Sequence, residues 1–304
     1  MTGVAVIAHR GKSVGGGLPE LRRVLEQRGV TDVFWREVGK SRFAPAEVKK
    51  ALAQDADLIF IWGGDGMVQR CVDVVAGSDA TIAIVPAGTA NLLATNLGIP
   101  KDIEQAVEIG LSGRSRRIDV GRINGERFAV MAGAGFDARM IGDADGGLKD
   151  RFGRLAYVWT GAKHMREKPF RAKIKVDGAR WYDGEASCIL LGNVGKLFGG
   201  VEAFEDAYPD DGVLELGVVS ADGVREWAGT VARAVVGSAA KSPHAFTTMV
   251  HSVRIKLDRK VLYEIDGGDR KKVRTLRVEV EPEAVQICVP ADAAPSISSE
   301  SAPA

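Results

Sequence analysis

Four residues stand out for their chemistry. Gly63-Gly64-Asp65-Gly66 follows the apolar run Leu58–Trp62 and precedes a helix-like run from Val68 to Val75. Ligands of open α/β sheets bind beyond the carboxyl ends of strands. Glycines there let the backbone approach a phosphate, and the following helix N-terminus favours an anion. The Asp65 carboxylate suits a magnesium ion or a nucleotide's sugar. The plain alternative is a strand-to-helix turn, and the four-residue string in this context favours function.

A second string, Pro86-Ala87-Gly88-Thr89-Ala90-Asn91, also sits between an apolar run (Thr81–Val85) and a helix-like one. Gly88 allows close approach, and the Thr89 hydroxyl and Asn91 amide suit phosphate or ribose. Taken alone, this string reads equally as helix capping by Thr89. Two such turns on two strands are expected to face one crevice. A third loop, Arg10-Gly11-Lys12-Ser13, places Lys12 within reach of a phosphate. Its order is not Gly-x-x-x-x-Gly-Lys-Ser/Thr, so a mobile glycine-rich loop competes on equal terms.

Elements must position these residues. Val4–Ala8, Val33–Val38, Leu58–Trp62 and Thr81–Val85 read as strands. They alternate with helical runs at Leu18–Gln27, Ala46–Ala53, Val68–Val75, Asn91–Leu97 and Ile103–Leu111. Alternating β and α with uniformly apolar strands predicts a doubly wound parallel sheet covered on both faces. From Arg114 strands dominate, at Ile118–Ile123, Phe128–Ala132, Arg171–Val176, Ala186–Leu191, Leu214–Val219, Ser252–Leu257, Val261–Ile265 and Leu276–Val289. Helices are expected near Arg154–Arg166 and Gly223–Val236. The reading is an α/β nucleotide-binding domain over 1–113, a β-rich sandwich over 114–290 and a disordered Ala, Pro and Ser-rich tail over 291–304.

Bulk properties narrow the partners. The net charge is +1, which argues against capture of nucleic acid. Cys71, Cys188 and Cys288 lack metal or disulfide spacing, and a reducing cytoplasm is expected. His9, His164, His244 and His251 show no metal spacing, and Tyr157 and Trp159 read as packing. No apolar run approaches the roughly eighteen residues of a membrane-spanning helix. The basic runs Lys163, Arg166, Lys168, Arg171, Lys173, Lys175 and Arg270, Lys271, Lys272, Arg274, Arg277 read first as solvated faces. Their second reading is a hold on anionic lipid headgroups.

Gly-Gly-Asp-Gly followed by Pro-Ala-Gly-Thr-Ala-Asn resembles the catalytic domain of the diacylglycerol kinase and sphingosine kinase superfamily, in its soluble bacterial lipid kinase form. The likeness continues through Ile118-Asp119-Val120-Gly121, Ala134-Gly135-Phe136-Asp137-Ala138, Gly153-Arg154-Leu155-Ala156-Tyr157, Asp210-Asp211-Gly212-Val213-Leu214 and Asp266-Gly267. Gly-Gly-Asp-Gly is shared with NAD kinases and phosphofructokinases, and the later motifs point to lipid kinases. The resemblance implies an NAD kinase/phosphofructokinase-like first domain and ATP- and magnesium-dependent phosphorylation of a lipid alcohol such as diacylglycerol. It implies a nucleotide between the domains, on Gly64, Asp65, Gly66, Gly88 and Thr89, to which the reading of the turns adds Gly63, Asn91 and Lys12. It assigns Asp266 as general base, with Asp65 beside it in catalysis. Asp210, Asp211 and the Val213 carbonyl become a magnesium site, and Asp119 a member of the active-site network. The partner is then a lipid at the inner face of the cell membrane, with peripheral contact and a homodimer both left open.

The chain departs from the family at Met67 for Thr, Gln69-Arg70 for Asn-Glu, Leu92 for Asp, Gly268 for Glu and His9-Arg10 for Asn-Pro. Each departure removes a ligand or a supporting contact. Two rival readings therefore stand: a kinase for a soluble acceptor such as NAD, and a catalytically silent nucleotide- or lipid-binding protein.

Overall fold

The computed structural model describes residues 3–135, 169–196, 203–204, 207–220 and 244–293. The expected helices at 154–166 and 223–236, the motifs at 136–138 and 153–157, residues Trp159, Lys163, His164, Arg166 and Lys168, and the tail from 294 lie outside the described residues.

The chain forms two compact units, Met1–Val120 with Pro282–Ala304, and Gly121–Glu281. The first alternates β1 (Gly3–His9), α1 (Gly17–Gln27), β2 (Val33–Val38), α2 (Ala44–Leu52), β3 (Ala56–Gly63), α3 (Asp65–Val75) and β4 (Thr81–Pro86). It continues with α4 (Leu92–Asn96), α5 (Ile103–Ser112) and β5 (Arg114–Ile123), whose last residues pass into the second unit. Strands β2, β1, β3 and β4 lie side by side in parallel. Ile59, Phe60, Ile61 and Trp62 of β3 are fully buried, as helix cover on both faces of a parallel sheet requires.

The second unit contains β6 (Glu126–Phe128), β7 (Met131–Ala134), β8 (Phe170–Val176), β9 (Ala179–Ala186), β10 (Cys188–Gly192), β11 (Leu214–Val219), β12 (Ala245–Val250), β13 (Ser252–Val261), β14 (Tyr263–Ile265) and β15 (Gly268–Asp269). The long β16 (Val273–Val289) supplies residues to both units. One antiparallel run is β16-β13-β8-β9, and a second sheet runs β12-β11-β10-β7-β14-β15. Phe128, Ile174, Leu191, Leu216, Ile255 and Leu276, drawn from both sheets, share one apolar cluster. This is a sandwich core built from alternating inward residues.

Two expectations change. The domain reading placed all of 114–290 in one unit, but Gln286 and Ile287 of β16 pair in parallel with Thr81 and Ile82 of β4. The last strand therefore completes the first unit's sheet, a long-range pairing that composition does not reveal. The expected strand Phe128–Ala132 is two strands, broken at Ala129 and Val130, because the N–H groups there turn towards a carboxylate.

Candidate functional site

Strands β3 and β4 end in register, Gly63 opposite Pro86, so the two glycine turns leave the sheet side by side. Ala87 N–H donates to the Gly63 carbonyl at 2.9 Å. Asp65 then ties the turns together. One carboxylate oxygen accepts the Asn91 N–H at 2.8 Å and the other accepts the Leu92 N–H. Asn91 has φ 50° and closes its own turn: Oδ1 accepts the Gly88 N–H at 2.8 Å, and Nδ2 donates to the Gly88 carbonyl at 2.9 Å. Asp65 and Asn91 thus spend these polar atoms on shaping backbone. Thr89 and Gly66 are exposed. The result is a braced, glycine-lined cradle of the kind that positions phosphates by main-chain N–H groups. Burial pushes the Asp65 carboxyl above its ordinary value, and the N–H donors of Leu92 and Asn91 oppose that shift.

Glycine is required where the turns touch. A Cβ on Gly88 would stand 2.5 Å from the Gly64 Cα and 2.7 Å from Asn91 Oδ1. Gly88→Ala should therefore force the turns apart, lowering stability by about 1–3 kcal/mol, the scale of overpacking. Thermal melting and ATP titration calorimetry check this; an unchanged melting temperature with unchanged affinity would contradict the close packing.

Lys12 is brought to the same end of the sheet. Its carbonyl accepts the indole N–H of the buried Trp62 at 3.2 Å, and its N–H donates to the His9 carbonyl at 3.1 Å. Trp62 directly precedes the Gly63 turn, so one indole pins the third loop beside it. Sequence reasoning missed this anchor, whose only signal is a hydrogen-bonding aromatic at the end of a buried strand. Met67 fills the space beside Gly63, where a Cβ would meet its side chain at 2.9 Å.

In the second unit, Asp266 and Gly267 have φ 44° and 76° and join β14 to β15, with Ile265 paired to Gly268. This is a two-residue hairpin turn in which both central residues need positive φ. The turn reading is correct in geometry, yet the side chain does more. Asp266 is buried, and its carboxylate accepts the N–H groups of Ala129, Val130 and Met131 at 3.0, 3.0 and 2.8 Å. Asn193, which sequence reasoning passed over, braces the same segment. Its Nδ2 donates to the Ala129 carbonyl at 3.0 Å and its N–H to the Val130 carbonyl at 2.9 Å. A buried amide beside a strand end was the available signal.

The basic run beginning at Arg270 is corrected at its first residue. The Arg270 side chain is only 13% exposed; Nε binds Glu126 at 2.7 Å and Nη1 the Gly268 carbonyl at 3.0 Å. It clamps the hairpin and is no free surface cation. A Cβ on Gly268 would stand 2.9 Å from Arg270 Nη1, so this guanidinium fills the space beside the position where the related family carries Glu.

Asp211 shapes its own turn, accepting the N–H of Val213 at 3.1 Å and of Tyr208 at 3.4 Å. Asp210, Asp211 and the Val213 carbonyl are all hard oxygen donors, the type magnesium takes. Among the described residues no group of three or more His, Cys, Asp or Glu is placed to hold a metal, so an ion at this turn would complete its shell with carbonyls and water. Asp119 is buried and accepts the Glu283 N–H at 2.7 Å, which fixes the chain where it returns to the first unit.

Comparison with known proteins also divides the chain in two, between 123 and 130. Residues 8–123 match the diacylglycerol kinase catalytic domain, and residues 130–289 match the YegS C-terminal NAD kinase beta sandwich-like domain. A diacylglycerol kinase of Bacillus subtilis is 30% identical over 227 residues, covering 72% of this chain and 73% of its own. The crystal structure of a diacylglycerol kinase from Bacillus anthracis superposes with TM-score 0.74 at 20% identity, over 96% of this chain and 98% of that one. An NAD kinase from Archaeoglobus fulgidus in complex with ATP shares the fold more distantly, with TM-score 0.54 at 11% identity over 93% of this chain and 92% of that one.

Proposed function

The chain belongs to the diacylglycerol kinase catalytic-domain family of lipid kinases, and from that premise we propose that it transfers the γ-phosphoryl group of ATP, with magnesium, to the hydroxyl of diacylglycerol or a related lipid alcohol. The observation that carries the reading is the Asp65 bridge, which converts two glycine turns into one rigid backbone cradle.

Phosphoryl transfer demands positioning and charge neutralisation more than covalent help. Gly64, Gly66 and Thr89 hold the phosphates by main-chain and hydroxyl donors, Gly88, whose N–H is taken by Asn91 Oδ1, lets the backbone come close, Lys12 is a point charge, and Asp65 and Asn91 keep the turns in register. Asp210, Asp211 and the Val213 carbonyl would hold magnesium, which when bound would supply positive charge. Asp266 receives the proton of the acceptor hydroxyl.

The test is a kinase assay with labelled ATP on a total lipid extract, with mass spectrometry of the product and NAD as a soluble acceptor in parallel. A labelled phospholipid bears the reading out. Label only on NAD, or ATP binding with no transfer to any lipid, overturns it.

Asp211→Ala should lower the melting temperature, because two N–H groups lose their acceptor at about 1 kcal/mol net for a typical hydrogen bond. It should also raise the magnesium concentration needed for half-maximal activity. A shift in melting with no shift in the magnesium titration would leave Asp211 a turn residue only.

A further inference from the structure

The outward face of β8, β13 and β16 opposes like charges in register. Lys175 stands opposite Arg254, and Arg254 opposite Arg277; one step along, Lys173 faces Lys256. All five are exposed. Lys173 has Asp183 at 3.9 Å, while Lys175, Arg254, Lys256 and Arg277 have no carboxylate within ion-pair distance among the described residues. Nearby acids are engaged elsewhere: Asp183 with Arg171 and Arg180, Glu279 with Arg122, and Asp177 with Ser252 and His251. Asp258 of β13, Glu279 of β16 and Glu185 of β9 are exposed acids of this face.

Neighbouring strands lie about 4.8 Å apart, so these cations form a close array, and like charges directly opposite destabilise a sheet. An array of this kind, only partly compensated by the acids around it, presents net positive charge to an external anion. Two hollows of about 400 and 350 Å³ meet at Arg277 and Val278. Arg122, Asn124 and the acid Glu279 line one; Lys175, Ser252 and Arg254 line the other. Arg122, Asn124 and Ser252 are held by Glu279 and Glu281, the Thr275 carbonyl and Asp177, so the cations that, among the described residues, face the hollows unpaired are Arg277, Lys175 and Arg254.

We propose that this face docks on an anionic phospholipid bilayer. The occupant is identified by charge complementarity and extent: a row of cations spread across a sheet face matches a plane of anionic headgroups. The inference rests on the lipid-kinase reading, since a lipid alcohol must be met at a membrane and no described helix is long and apolar enough to cross one. It also divides the basic runs: Lys173 and Lys175 of the first join Arg277 of the second, and Arg270 does not.

The test compares wild type, the quadruple variant K175Q/R254Q/K256Q/R277Q and a control, K40Q/R42Q/K49Q/K101Q, that removes the same charge from the first unit. Each is sedimented with phosphatidylcholine vesicles, with and without phosphatidylglycerol, and assayed on diacylglycerol in vesicles and in neutral detergent micelles. The quadruple variant should bind phosphatidylglycerol vesicles at least roughly tenfold more weakly. It should lose vesicle turnover in proportion, keep micelle turnover, and melt at or above the wild-type temperature. Arg254→Gln alone should show a smaller loss, and the control should bind as wild type does. Docking is overturned if the quadruple variant binds like wild type, if micelle turnover falls equally, or if the control loses as much binding. Vesicle binding that depends on this face, without transfer to any lipid, would sustain docking while removing the lipid-kinase reading.

Discussion

Asp65→Ala should lower the turnover of lipid phosphorylation by roughly a hundredfold or more, while the protein still folds. The cause is positional. Without the carboxylate, the Asn91 and Leu92 N–H groups lose their shared acceptor, and the turns stay joined only at their base, through the Ala87 N–H on the Gly63 carbonyl. Misplacing reacting groups by about 1 Å costs on the order of a hundredfold. Asp65→Asn should fall between, because an amide offers one acceptor oxygen where two N–H groups converge. Steady-state rates and circular dichroism on both variants decide this; wild-type turnover in Asp65→Ala would end the cradle argument.

The same carboxylate sets opposite pH trends. Its value is raised by burial, so it takes up a proton above the ordinary carboxylate range as pH falls. Protonation removes an acceptor from the clamp, and activity should decline there. Stability runs the other way. A carboxyl raised from 3.8 on folding contributes stability that is present below 3.8 and lost as pH rises through its folded value. The stability of wild type relative to Asp65→Ala should therefore shrink with rising pH, by chemical denaturation at a series of pH values.

Asp266→Asn is the second large effect, and the structure changes what it should do. As a hairpin residue alone, Asn-Gly would replace Asp-Gly without cost. The carboxylate, however, takes three main-chain N–H groups on two oxygens. An amide must turn its own N–H towards one of them. Losing a hydrogen bond to a charged acceptor costs about 1.5–3 kcal/mol, so the variant should melt several degrees lower. Turnover per folded molecule should still drop roughly a hundredfold, the scale of general-base loss, with ATP affinity near wild type. Assays below the variant's melting range, with calorimetry for ATP, separate the two effects. Preserved turnover per folded molecule would make Asp266 a brace for 129–131 and move the base elsewhere. A collapse of ATP affinity would assign it to the nucleotide instead.

Periodicity and short strings sufficed for the parallel-sheet unit. Strands such as Val33–Val38 and Thr81–Pro86 announce themselves by local apolar pattern, and the glycine turns at their ends are local too. The β-rich unit was legible as strands, yet β9 and β12 were missed. Their exposed faces carry mixed polar residues such as Asp183, Glu185 and Thr247, and their pairing comes from neighbours remote in sequence.

Residue types and order by themselves determined the two-domain plan, the glycine turns and the family, because these depend on side-chain chemistry within a few positions. Tertiary structure alone decided that Asp65 braces Asn91 and Leu92, that Asp266 binds the 129–131 segment, that β16 returns to β4, and that Lys175, Arg254 and Arg277 form one row. Each of these is a hydrogen bond or strand register between distant segments. Their existence depends on how the chain closes on itself, which no local window of sequence encodes.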